Sequence, residues 1–140
     1  MRKNDGIGLG WHQILVTAII LCIIAGLAIY GIDFFNYKSK ISSIQLHEIA
    51  FSDIADGQYL GEYDAGYIYA KVQVNVENGS VQNIILLEHK NERGKAAEQI
   101  VSTIVDTQTF PVDAVSSATN SSLVIQKAVE NALEGGHINE

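Results

Sequence analysis

Four patterns of apolar and polar positions divide the chain. The first is unbroken. Residues 14–32 form an apolar run of nineteen positions without a charge, close to the ~20 needed to cross a bilayer as a helix. The second is strict alternation. Ile68, Ala70, Val72, Val74 and Val76 alternate with Tyr69, Lys71, Gln73, Asn75 and Glu77, the period of a strand with one buried and one wet face. Strand-like sequence begins earlier, at Tyr59, and ends at Asn78-Gly79, a pair that favours a type I′ hairpin turn. Residues 81–87 make the return strand. Its Ile84-Ile85-Leu86-Leu87 is apolar at every position, which predicts a helix or second layer over its outer side. The third pattern is helical: in residues 94–105, Ala97, Ile100 and Ile104 fall on one side. The fourth is a last helix from about Ser121, packing through Val124, Ile125, Ala128, Val129, Ala132 and Leu133 and closed by Gly135-Gly136. Strand, strand, strand, helix, loop, helix predicts an α+β fold: a small antiparallel sheet with two helices packed on it, preceded by one N-terminal transmembrane helix.

Composition sharpens the role of the first pattern. The chain has 140 residues and a net charge of −7. Residues 1–40 carry Arg2, Lys3, Lys38 and Lys40 against Asp5 and Asp33; the rest hold fourteen acids and five bases. Such an acidic domain is a poor ligand for nucleic acid or anionic lipid. Trp11 and Tyr30 flank the apolar run, where aromatic rings favour the interface. Apolar sequence continues past Gly26-Leu27-Ala28, the small-residue exit that a cleaved signal would use, and this favours a retained anchor. Arg2 and Lys3 favour a cytoplasmic N-terminus and a soluble domain outside, against an offset from Lys38 and Lys40. Cys22, the single cysteine, lies inside the apolar run, so one chain can build neither a disulfide nor a multi-cysteine metal site.

Candidate chemistry concentrates late in the chain. After Pro111, the only proline, comes Asp113-Ala114-Val115-Ser116-Ser117-Ala118-Thr119-Asn120-Ser121-Ser122, with five hydroxyl side chains between positions 116 and 122. At a helix start, such residues either cap the first turn or meet an anion on its unpaired N–H groups. No Gly-rich phosphate loop occurs elsewhere in the domain. Ser116 or Thr119 as a hydrolase nucleophile lacks the GxSxG context. His89 ends the third strand, before Lys90-Asn91-Glu92-Arg93-Gly94. It reads as a polar turn, an acid/base group or, with His47 and His137 at unrelated spacings, a weak metal candidate. Arg93 is a surface charge or a phosphate partner. Tyr59, Tyr63, Tyr67 and Tyr69 cover a sheet or stack on a flat heterocycle. In Asp56-Gly57-x-Tyr59-x-Gly61-Glu62, the glycines let a backbone approach closely.

The stretch Asp113-Ala114-Val115-Ser116-Ser117-Ala118-Thr119 resembles the flavinylation motif of FMN-binding domains, Asp-x-x-Ser/Thr-Gly-Ala-Thr, with Ser117 at the usual glycine. Such domains occur in flavoprotein subunits of the sodium-pumping NADH:quinone oxidoreductase and the Rnf complex, and in small membrane-tethered flavoproteins. The resemblance extends from residue 56 to about 133 and takes in His89 and Arg93-Gly94. It implies FMN bound covalently through a phosphoester to Thr119, with Asp113, Ser116, Ser117, Ala118, Ser121, Ser122, His89 and Arg93 around it. It also implies a separate flavin transferase that uses FAD. The expected protein is a single-pass electron carrier at the cell membrane, with its soluble domain extracytoplasmic, rather than a complete enzyme. It would relay electrons between membrane or surface redox partners. The competing reading is a binding or assembly module whose flavin site is empty or non-covalent. The expected layout is a tail (1–13), an anchor (14–32), a stalk (33–50), the FMN-binding domain (51–135) and a second tail (136–140).

Overall fold

A computed structural model describes residues 10–91 and 94–135 of the protein. Helix α1 spans Trp11–Ser42, strands β1, β2 and β3 span Gly57–Asp64, Tyr69–Glu77 and Ser80–Lys90, and helices α2 and α3 span Gln99–Thr107 and Thr119–Gly135. Short 3-10 turns occupy Phe51–Asp53 and Lys95–Glu98. The chain divides into two compact units, residues 1–36 and 37–140. The first holds most of α1, whose side chains are exposed along the whole apolar run. This helix is long and apolar enough to cross a membrane.

The second unit is the α+β domain that the pattern predicts. Its sheet has the order β1-β2-β3 with both pairings antiparallel. Asn78 and Gly79 have φ of 53° and 70°, the left-handed pair that a type I′ turn requires. Val72, Val74 and Val76 of β2 are fully buried with Tyr59, Val81 and Ile84. Against them pack Ile100 and Ile104 of α2 and Val124, Ile125, Ala128, Val129 and Ala132 of α3. Gly61 brings α3 onto β1. A Cβ there would lie 2.2 Å from the Ala128 carbonyl oxygen and 2.4 Å from the Ala132 nitrogen. The close approach suspected of the early glycines is therefore to this helix.

In residues 33–50, where periodicity leaves a helix or membrane-surface packing open, α1 continues to Ser42, Ile41 is buried in the domain core, and Ile44, Leu46 and Ile49 pack against it. One expectation changes: the outer side of β3 is not covered, since Ile85 and Leu87 are 44% and 49% exposed. The register shows which way each residue of that apolar run faces. Val72 pairs with Leu86 and Lys71 with Glu88, leaving Leu87 as an extra residue; Gln82 is skipped in the same way between Val81 and Asn83. Each extra residue resets the alternation by one. Leu86 therefore faces the core while Ile85 and Leu87 face out.

Candidate functional site

The first turn of α3 is open. Thr119 is its first residue and is exposed. Ala118 stands at the cap position, its carbonyl accepting the Ser122 N–H at 2.9 Å. Alanine has no side-chain oxygen to turn back onto the helix, and this position is where Ser, Thr, Asp or Asn usually supplies one. Among the described residues, the N–H groups of Thr119, Asn120 and Ser121 meet no acceptor. The expected cap by the neighbouring serines is thus not made. Ser122 Oγ is used elsewhere: it donates to the Ala118 carbonyl at 2.9 Å and accepts from Val115 N–H at 3.0 Å. That pair of bonds folds the preceding loop against the helix. Ser116, Ser117 and Asp113 are exposed in the loop, and Ala118 is buried. Ser117 has no positive φ, so a serine in place of glycine carries no backbone strain there.

The end of β3 borders this turn. The bulge at Leu87 sets His89 opposite Ala70, on the core side of the sheet, and the imidazole is 3% exposed. Its Nδ1 lies 3.2 Å from Glu98 Oε1 and 3.2 Å from Asn91 Nδ2. Asn91 Oδ1 accepts the Gly94 N–H at 2.9 Å. Gly94 in turn abuts the helix: a Cβ on it would come 1.8 Å from Ser121 Oγ and 2.5 Å from Ser121 Cβ. Buried Ser121 is therefore the point where the His89 turn meets α3. His89 Nε2 is sealed from water and has no hydrogen-bond partner among the described residues. Leaving such a nitrogen unpaired costs about 1–3 kcal/mol. With Nδ1–H directed at Glu98, Nε2 accepts a hydrogen bond in the neutral ring and donates one in the imidazolium. Arg93 lies outside the described residues.

A third element reaches the same turn. Asn120 Nδ2 donates to the Tyr37 hydroxyl at 3.0 Å. Tyr37 meets Tyr67, from the β1–β2 connection, edge to face, with ring centroids 5.3 Å apart and planes at 89°. Both rings are half-buried.

An uncapped helix start with an exposed threonine hydroxyl upon it offers a donor set suited to a phosphate-bearing cofactor. The sequence profile of the FMN-binding domain matches residues 65–134. The chain belongs to the FMN-binding domain family. Residues 65–134 are a flavin-binding domain, and FMN is the cofactor the family defines. No curated protein and no solved structure matches the chain. The match takes in Thr119 and its motif, His89 and both later helices, while Asp56-Gly57-x-Tyr59-x-Gly61-Glu62 precedes it. Tyr59 in that opening is structural, its hydroxyl donating to the Ala55 carbonyl at 2.7 Å.

Sequence reading brought Thr119 and its serines forward but missed the groups that fix them. Asn91, Glu98 and Tyr37 carry no motif signal, and their roles emerge only from contacts, whereas the resemblance marks Gly94 but not its packing on Ser121. A second polar cluster lies farther along α3. Glu130 is fully buried and accepts from the His47 backbone N–H at 2.7 Å, with His47 Nδ1 at 3.0 Å and Lys127 Nζ also bonded to it. Burial works to raise the pKa of Glu130. The Lys127 hydrogen bond and then the His47 bonds outweigh it and hold the pKa below the ordinary glutamate value. Glu134 completes a group with His47 and Glu130 whose ligand atoms lie within 4.8 Å. The Lys127 ammonium on Glu130 already supplies the positive charge there and opposes a metal cation.

Proposed function

We propose that the protein is a membrane-anchored electron carrier whose FMN is joined through a phosphoester to Thr119. The observation that carries this reading is the exposed Thr119 hydroxyl on an uncapped helix start, within the family match and its Asp-x-x-Ser-Ser-Ala-Thr sequence. In loading by a flavin transferase, Thr119 Oγ1 forms a bond to the FMN-side phosphorus of FAD. The pyrophosphate P–O bond breaks, AMP leaves, and the hydroxyl proton passes to the transferase. Thr119 supplies the ester oxygen. The N–H groups of Thr119, Asn120 and Ser121 and the hydroxyls of Ser116 and Ser117 hold the remaining phosphate charge, which a helix N-terminus favours by about 0.3–1 kcal/mol. Such a contribution is too small to retain a dilute cofactor, whereas a covalent bond removes the affinity problem. Ser121 and Ser122 act indirectly, by packing on Gly94 and folding the loop. His89 also acts indirectly, through the Asn91–Gly94 turn on which Ser121 packs.

Bound FMN supplies reversible one- and two-electron transfer; the domain sets its position and potential. The helix at residues 14–32 ties that function to a membrane, with the domain on the outer face. The acidic domain would meet electron partners of basic character. The test is intact mass after co-production with a flavin transferase. Wild type is expected to gain one FMN phosphoester and Thr119→Ala none. Loss of all flavin from wild type on denaturation would overturn the covalent bond and leave a non-covalent flavin site.

A further inference from the structure

We infer that Tyr37 and Tyr67 form the wall against which the flavin ring rests, so that the segment following the membrane helix is part of the cofactor site. This rests on the attachment proposed at Thr119. Adjacent residues are held 3.8 Å apart along the chain, so the Asn120 amide that binds the Tyr37 hydroxyl begins one residue from the ester oxygen. The isoalloxazine is a flat aromatic system with a polar edge. Left in water at the end of its ribityl chain, it gains nothing from the domain; laid on aromatic side chains, it is fixed in orientation. Tyr37 and Tyr67 are the half-buried aromatic pair that hydrogen bonding ties to this turn.

The pair is also held in place from both sides. Tyr37 lies on the last turns of α1, where buried Ile41 enters the domain core and Lys40 Nζ donates to the Asp64 carbonyl at 3.3 Å. Tyr67 lies in the tight β1–β2 connection, closed by Ala65 N–H to the Ile68 carbonyl at 2.9 Å. Neither tyrosine belongs to the flavinylation motif, and Tyr37 precedes the family match altogether.

The test exploits the phenol. Tyrosine in contact with a photoexcited flavin donates an electron to it and quenches its fluorescence; phenylalanine keeps the ring but cannot do so. The full chain is co-produced with a flavin transferase and purified in detergent. FMN loading is read by intact mass, and fluorescence per attached flavin is measured folded and in guanidinium chloride. Wild type is expected to be severalfold dimmer folded than unfolded. The double variant Tyr37→Phe/Tyr67→Phe is expected to load fully, yet to lose most of that quenching when folded. Tyr67→Phe alone, which leaves the Asn120 bond intact, is expected to lose part of it. Tyr69→Phe, on the opposite face of the sheet, should stay as dim as wild type. A loaded double variant as dim as wild type overturns the wall and leaves Thr119 attachment standing. A wild type as bright folded as unfolded does the same. A wild type without the FMN increment overturns the attachment, and the wall with it.

Discussion

The two halves of α3 treat their polar groups in opposite ways. Toward the C-terminal end, Glu130 is fully buried and matched by Lys127 and His47, and Asn131 Nδ2 donates to the Glu62 carbonyl at 2.9 Å. The helix backbone there touches β1 through the missing side chain of Gly61. Toward the N-terminal end, Ala118 leaves the cap unfilled, three N–H groups meet no acceptor among the described residues and Thr119 faces solvent. The first N–H groups of a helix are normally met by a cap, water or a ligand. One helix thus shows what full satisfaction looks like in this domain, and its open start departs from it at the residue that the family motif singles out. The closed half carries stability, and the open half presents the groups on which the proposed attachment rests.

The contrast is broken most severely at Gly61. In Gly61→Ala the new methyl group meets backbone atoms of Ala128 and Ala132, which cannot rotate away as a side chain would. We expect a loss of about 3 kcal/mol, the upper end of overpacking costs, read as a lower midpoint in urea unfolding. A smaller effect is expected at Glu130. Glu130→Gln keeps the shape and still accepts from His47 N–H but loses the charge that faces Lys127. Because His47 is largely exposed and Lys127 partly so, both recover hydration, and the cost should be about 2 kcal/mol.

The pH dependence of that interaction has a definite sign. The folded pKa of Glu130 is lowered, so its stabilising contribution is present above the unfolded value near 4.3. It is lost as pH falls from there through the folded pKa. Wild type should lose more stability than Glu130→Gln across that acidic range when midpoints are compared at stepped pH. Parallel curves would show that the carboxylate charge does not stabilise the closed half.

Much of this arrangement is legible in the chain, for reasons that differ from residue to residue. The alternation from Ile68 to Glu77 specifies β2 because one face is buried and the other wet. The Asn78-Gly79 turn follows because few pairs accept two positive φ angles. In β3 the same logic fails. Ile84, Ile85, Leu86 and Leu87 are equally apolar, so the pattern contains no mark of the bulge at Leu87, nor of its consequence that His89 turns inward. Ile41 is similarly ambiguous, since Asp33, Lys38 and Lys40 break the apolar run and hide that the helix continues to Ser42. Thr119 is legible by motif, but the empty cap beside it is not. Serines at positions 116, 117, 121 and 122 all look like caps, whereas in the fold Ser122 bonds to Val115 and Ala118 instead.

The smallest effect on stability is expected where the effect on function is complete. Thr119→Val replaces a hydroxyl by a methyl group of similar shape at an exposed position. Among the described residues that hydroxyl makes no hydrogen bond, so nothing in the folded domain is left unpaired. Valine is slightly less favourable in a first helical turn, but the change should stay within about 0.5 kcal/mol, with an unfolding midpoint close to that of wild type. Co-produced with a transferase, the same variant should gain no FMN mass. A large fall in stability would mean that Thr119 is a structural cap after all, and that the open start of α3 is closed by this side chain. Unchanged stability together with undiminished flavin would move the ester to another hydroxyl, with exposed Ser116 and Ser117 the nearest in the loop. Unchanged stability with no flavin is the outcome that separates the two halves of the helix cleanly, because no substitution at Gly61 or Glu130 can produce it.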